Sequence, residues 1–121
     1  MGARVLIVDD HALVLKALRR LLARHYDVRA AATVDDALQV GGEAAVDVVV
    51  TDLELEDPDG RDGIWLLEAF EARWGIRGLM LTGGSEEYEG IVVLRKPTSP
   101  ELLRAAIDGL VAPGAFGSPQ V

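Results

Sequence analysis

The chain is predicted to be an α/β protein, built on one five-stranded parallel sheet wound on both faces by helices. Two observations predict this. Five short apolar runs punctuate the sequence, at Val5–Val8, Val28–Ala32, Val46–Thr51, Gly78–Thr82 and Ile91–Arg95. Most are followed by segments whose apolar residues recur at three- and four-residue steps, the spacing of one helix face. Strand and helix in alternation imply parallel neighbours joined by right-handed crossovers, with helices on either side.

The first run, from Arg4 to Val8, ends on two aspartates, Asp9 and Asp10. Leu13, Ala17, Leu18, Leu21 and Leu22 then mark a helix that reaches about His25, with these side chains as its apolar face. Val28–Ala32 reads as a weaker, alanine-rich strand. Thr33 is a helix cap with Asp36 as its capping-box partner, and Ala37 and Leu38 continue that helix. The β-branched run from Val46 to Thr51 has the composition of a central strand buried on both faces. A polar loop, Glu54–Asp62, separates it from a helix carrying Ile64, Leu67, Phe70 and Trp74 and stopped by Gly75. After the fourth and fifth strands, Ser99 and Pro100 open a last helix as cap and first residue. Leu102, Leu103, Ala106, Ile107 and Leu110 form its expected buried face. Residues 1–111 are read as one domain and 112–121 as a flexible tail or linker stump.

Composition narrows the function. The 121 residues are half hydrophobic, enough for one compact core. Twelve basic against twenty acidic side chains give a net charge of −8, which argues against direct nucleic-acid binding. With no cysteine, disulfides and thiolate metal sites are excluded. No stretch approaches a membrane span or a signal peptide, so the chain is read as soluble and cytoplasmic, without membrane contact.

In a sheet of this kind the ligand site lies beyond the carboxyl ends of the strands. Asp9 and Asp10 end the first strand, Asp52 the third, Thr82 the fourth and Lys96 the fifth. Taken singly, these are an ordinary helix start, a strand-end threonine and a Lys-Pro turn. Taken together, they converge on one edge. Three carboxylates in one place repel one another and persist when a cation binds them. An all-oxygen set suits a hard ion such as Mg²⁺. Lys96 adds a fixed charge that neutralises phosphoryl oxygens, Thr82 adds a hydroxyl, and a carboxylate can act as nucleophile.

The segments Val5-Leu-Ile-Val-Asp9-Asp10-His11, Val48-Val-Val-Thr-Asp52-Leu, Leu79-Met-Leu-Thr82-Gly and Leu94-Arg-Lys96-Pro97 resemble the receiver domain of two-component response regulators, over about residues 4–111. The resemblance implies a flavodoxin-like receiver fold in which Asp52 takes a phosphoryl group from a sensor histidine kinase or phosphotransfer protein. It implies that Asp10, Asp52 and the backbone carbonyl of Glu54 hold Mg²⁺, with Asp9 acting through water. Lys96 would pair with the phosphoryl group and Thr82 would move to hydrogen-bond it. Such a domain signals through protein contacts and is not a turnover enzyme.

Three departures from the family pattern stand out. Only Gly83–Gly90 separates the fourth and fifth strands, eight residues, too few for a crossover that winds a helix. The helix the family carries there is therefore expected to be absent or reduced to one turn around Ser85–Tyr88. The family's aromatic three residues before the lysine is replaced by Val93, and Tyr88 is read as solvent-exposed and no substitute for it. The loop after Asp52 is long and acidic and is read as a solvated surface loop. Loss of a helix leaves apolar sheet near Ile91, Val92 and Val93, which admits a homodimer through a non-standard surface. A phosphorylation-independent, receiver-like interaction module is the competing reading. An aspartate-nucleophile phosphatase fits poorly, because its nucleophile follows the first strand.

Overall fold

In the computed structural model the chain is described over residues 2–116, and its side chains over residues 2–111. The elements are β1 (Arg4–Val8), α1 (Ala12–Leu22), β2 (Asp27–Ala31), α2 (Val34–Glu43), β3 (Val48–Asp52), α3 (Gly63–Trp74), β4 (Arg77–Thr82), β5 (Val92–Arg95) and α4 (Pro100–Phe116). All five strands are parallel, in the order β2-β1-β3-β4-β5. The predicted fold class is thus the observed one. Helical backbone in α4 continues past the tail boundary expected at Ala112, and residues 117–121 lie outside the described residues. Among the described residues, no helix is long and apolar enough to cross a membrane.

The alternation of side chains along a strand divides the core in two. Val5, Ile7, Val48, Val50, Leu79 and Leu81 point to the face covered by α1 and α4, where Leu22, Leu103 and Ile107 meet them. Leu6, Val8, Val49 and Met80 point to the face covered by α2 and α3, against Val34, Ala37, Leu66, Leu67 and Phe70. Burial of each large aliphatic or aromatic side chain contributes about 1.5–3 kcal/mol. Every residue of β3 is buried, as its β-branched run implied.

Local signals act where the sequence placed them. The Thr33 hydroxyl accepts from the Asp36 amide at 3.0 Å, and the Ser99 hydroxyl from the Leu102 amide at 3.0 Å. Gly75 closes α3 in the left-handed conformation, with φ of 67°.

Two helix faces differ from expectation. On α1, Leu13 is 82% exposed and Leu21 also faces solvent, while Leu15, Leu18 and Leu22 turn to the core. Apolar residues stand on two faces of this helix, and only packing against the sheet chooses between them. On α4, Leu102 is 59% exposed and the packed face is Leu103, Ala106, Ile107 and Leu110.

No helix joins β4 to β5. The connection runs as irregular backbone with a turn at Glu89–Gly90, closed by the Ile91 amide on the Tyr88 carbonyl at 3.1 Å. Arg95 steadies it by donating to the Ser85 carbonyl at 2.9 Å. Tyr88 departs from its expected exposure. It is half-buried against the α2/α3 side of the core, together with Ile91 and Val93, and its hydroxyl donates to Glu86 at 3.3 Å. The short connection thus supplies part of the cover that the missing helix would have given.

Candidate functional site

Two adjacent parallel strands, β1 and β3, end side by side and deliver the acidic residues. Asp9 follows β1, fixed by its amide on the Ala31 carbonyl at 3.2 Å, and Asp52 closes β3. Lys96 is carried opposite Thr82 because its amide continues the β4–β5 ladder onto the Thr82 carbonyl at 2.8 Å. A parallel β5 is therefore what brings the lysine to the carboxylate edge; an antiparallel one would have taken it to the far end.

Ligand atoms of Asp9, Asp10, His11 and Asp52 all lie within 4.8 Å of one another. Asp9 and Asp52 are buried, 1% and 8% exposed. Lys96 Nζ donates to Asp52 Oδ1 at 2.7 Å, a short charge-assisted bond to one carboxylate of the group. Asp9 Oδ1 accepts the His11 amide at 2.8 Å and faces the His11 ring Nδ1 at 3.2 Å. Asp10 Oδ2 accepts the Glu56 amide at 3.2 Å. The other oxygen, Asp10 Oδ1, is buried with no hydrogen-bond partner; His11 Nδ1 comes to 3.1 Å without hydrogen-bond alignment.

A buried carboxylate oxygen without a donor is costly. It stands among other carboxylates, and a hard divalent cation answers both problems at once. The residues present therefore fit Mg²⁺. Glu54 stands two residues beyond Asp52 on the loop, with an exposed side chain.

Thr82 is 5% exposed and its hydroxyl accepts the Gly84 amide at 3.1 Å. Asp9, Asp10 and Asp52 thus stand together with Lys96 on one of them, and Thr82 ends the neighbouring strand β4.

Sequence reasoning missed three participants. His11 is not among the predicted site residues, yet its ring faces Asp9 and Asp10. The Asp9 hydrogen bond first, then the charges of Asp10 and Asp9, raise its pKa above the usual imidazole value. Its place directly after the two aspartates was the available signal. Gly63 opens α3 with its amide on the Leu53 carbonyl at 2.7 Å, directly behind Asp52. Arg61 organises the loop that was expected to be solvated. It pairs with Asp57 at 2.8 Å, and that carboxyl is held at about 2, chiefly by the arginine's hydrogen bonds. Nothing periodic in the loop sequence announces that pair.

A family model described as the response regulator receiver domain matches residues 5–108. The transcriptional regulatory protein KdpE of Mycobacterium tuberculosis is 44% identical over 59 residues, 48% of this chain and 26% of that protein. The alkaline phosphatase synthesis transcriptional regulatory protein PhoP of Bacillus subtilis is 27% identical over 128 residues, 98% of this chain and 52% of that protein. The chain therefore spans about half or less of the length of these curated relatives. Among solved structures, a response regulator receiver domain protein from Clostridium thermocellum superposes with a TM-score of 0.84 at 24% identity, covering 94% of this chain and 98% of that one. A CheY-like receiver domain protein from Methanospirillum hungatei superposes at 0.80 with 26% identity, covering 97% and 100%.

Proposed function

The chain belongs to the response regulator receiver domain family, and from that footing we propose that it accepts a phosphoryl group on Asp52 in a Mg²⁺-dependent reaction. The observation that carries this reading is Lys96 Nζ at 2.7 Å from Asp52, beside the Asp9–Asp10 pair. An oxygen of Asp52 forms a bond to phosphorus as the donor's bond to phosphorus breaks, and the donor group leaves with that electron pair. Lys96 stands where it can neutralise phosphoryl oxygens, and Thr82 offers its hydroxyl to them. Asp9, Asp10, Asp52 and the Glu54 backbone carbonyl would hold Mg²⁺, which supplies positive charge to the transferring group. The donor is a sensor histidine kinase or phosphotransfer protein, and the output is protein contact in the cytoplasm, not turnover chemistry. The receiver unit is assigned to residues 1–111.

The test is direct. With Mg²⁺ and acetyl phosphate, intact mass should show a single phosphate added, and excess EDTA should prevent it. Absence of any adduct at saturating Mg²⁺ would leave the competing reading, a phosphorylation-independent interaction module, which Val93 and the missing helix favour.

A second copy of the chain is the further partner proposed, through edge strand β5, where Val92 is 41% exposed. Val92→Asp should convert a concentration-dependent dimer to monomer in sedimentation velocity, with little effect on folding because the side chain is already partly wet. A dimer that persists in this variant removes that surface from consideration.

A further inference from the structure

Arg61 ties three elements together. Its Nε donates to Asp57 Oδ2 at 2.9 Å and a terminal nitrogen donates to Asp57 Oδ1 at 2.8 Å, a two-point ion pair. That terminal nitrogen also donates to Asp35 Oδ1 on α2 at 2.9 Å. The guanidinium carbon stands 5.2 Å from the centre of the Trp65 ring on α3. Asp57 accepts two more bonds, from the backbone amides of Asp59 at 3.1 Å and Arg61 at 3.0 Å. Its side chain is only 4% exposed, and that of Arg61 18%. A carboxylate enclosed by so many donors has one position, and the backbone on either side of it is fixed with it.

The residue directly before Asp57 is Glu56, whose amide donates to Asp10 Oδ2 at 3.2 Å. One oxygen of Asp10 is therefore anchored by the loop, while the other is buried without a hydrogen-bond partner. The clip and the acidic site are a single residue apart along the chain.

We propose that Arg61, acting through Asp57, is a positioning residue for the Mg²⁺ site, holding the loop so that the Glu56 amide orients Asp10 for the ion. This rests on the phosphoacceptor reading given above. Arg61 touches neither the ion nor the phosphoryl group; it acts through the backbone. Outer partners of metal ligands typically contribute about 10–100-fold in affinity, and an effect relayed through one amide belongs at the lower end of that range.

The experiment is a Mg²⁺ titration by calorimetry on the full chain, for wild type, Arg61→Ala, Asp57→Asn and Asp35→Asn. Arg61→Ala and Asp57→Asn should bind Mg²⁺ about tenfold more weakly with unchanged far-ultraviolet circular dichroism. Their phosphate uptake from acetyl phosphate should be slow at low Mg²⁺ and recover as Mg²⁺ saturates. Asp35 is 81% exposed and only an outer arm of the clip, so Asp35→Asn should shift affinity less than about twofold. Should Arg61→Ala fail to fold, Asp57→Asn, which keeps the side-chain shape, decides the matter. Wild-type Mg²⁺ affinity in a folded clip variant overturns the proposal and leaves the acceptor function standing. A rate loss that saturating Mg²⁺ does not restore also overturns it, and failure of the wild type to bind Mg²⁺ overturns both.

Discussion

Asp52→Asn should abolish phosphate uptake altogether: with Mg²⁺ and acetyl phosphate, intact mass should show an adduct in the wild type and none in the variant. The carboxylate is the nucleophile in the proposed reaction, and an amide offers no comparable oxygen for attack on phosphorus. Loss is therefore complete, not a slowing by some factor. Asn has nearly the volume of Asp, so the buried position at the end of β3 is not emptied and the fold should stand. The exchange also removes one carboxylate from a cluster whose ligand atoms lie within 4.8 Å of one another, which reduces their mutual repulsion. Lys96 loses its 2.7 Å charged partner, but the lysine side chain is about one-third exposed and water can take that place. Mg²⁺ affinity should fall, because a charged oxygen ligand has been replaced by a neutral one. An adduct of equal size in both proteins would move the acceptor elsewhere and end this assignment.

The contrast between what could and could not be read from the sequence follows the physics of each feature. β3 is continuous Val-Val-Val flanked by polar residues, and no helix-period alternative competes with such a run, so the central strand was legible. So was the missing helix, because eight residues cannot both return along the sheet and wind several turns. The site followed from topology: once the strands are parallel, every strand's carboxyl end lies on one edge, and Asp9, Asp10, Asp52, Thr82 and Lys96 must gather there. Helix faces were less legible. The apolar residues of α1 support two phases, Leu13–Ala17–Leu21 and Leu15–Leu18–Leu22, and the choice is made by contacts with β1 and β2 that no local pattern encodes. Leu66 of α3 was missed for a related reason, since Leu66 and Leu67 are adjacent and both are buried.

Arg61 and Tyr88 show a different limit. Each sits in an irregular segment, where side chains are placed by particular partners and not by a period. Arg61 finds Asp57 four residues away and Asp35 from another element. Tyr88 turns inward because the helix that would cover that face is absent, leaving apolar surface for an aromatic ring to fill. In both cases a loop that composition marks as polar has become part of the packed structure.

Gly63→Ala should damage both stability and phosphate uptake, although the residue carries no chemical group. A Cβ at this position would fall far inside van der Waals contact with the Asp52 carbonyl oxygen and come to 3.0 Å from Leu53 Cα. Both neighbours are backbone at the end of a buried strand, so neither can rotate away as a flexible side chain would. Relief requires the start of α3 to move off the sheet, breaking the 2.7 Å bond from the Gly63 amide to the Leu53 carbonyl, or the strand end to move. Overpacking of this kind costs about 1–3 kcal/mol. For a domain of this size that lowers Tm by roughly 4–12 °C in a thermal melt. The second route shifts Asp52 itself, and misplacement of a reacting group by about 1 Å can cost on the order of 100-fold in rate. Gly83→Ala is the matched control, since nothing lies within 4 Å of a Cβ built there; it should change neither Tm nor uptake. If Gly63→Ala melts like the wild type, α3 is not seated against the acceptor strand as described. If it is destabilised yet takes up phosphate at the wild-type rate, the strain is absorbed by the helix alone, and Asp52 is held in place by β1, β4 and Lys96 without help from α3.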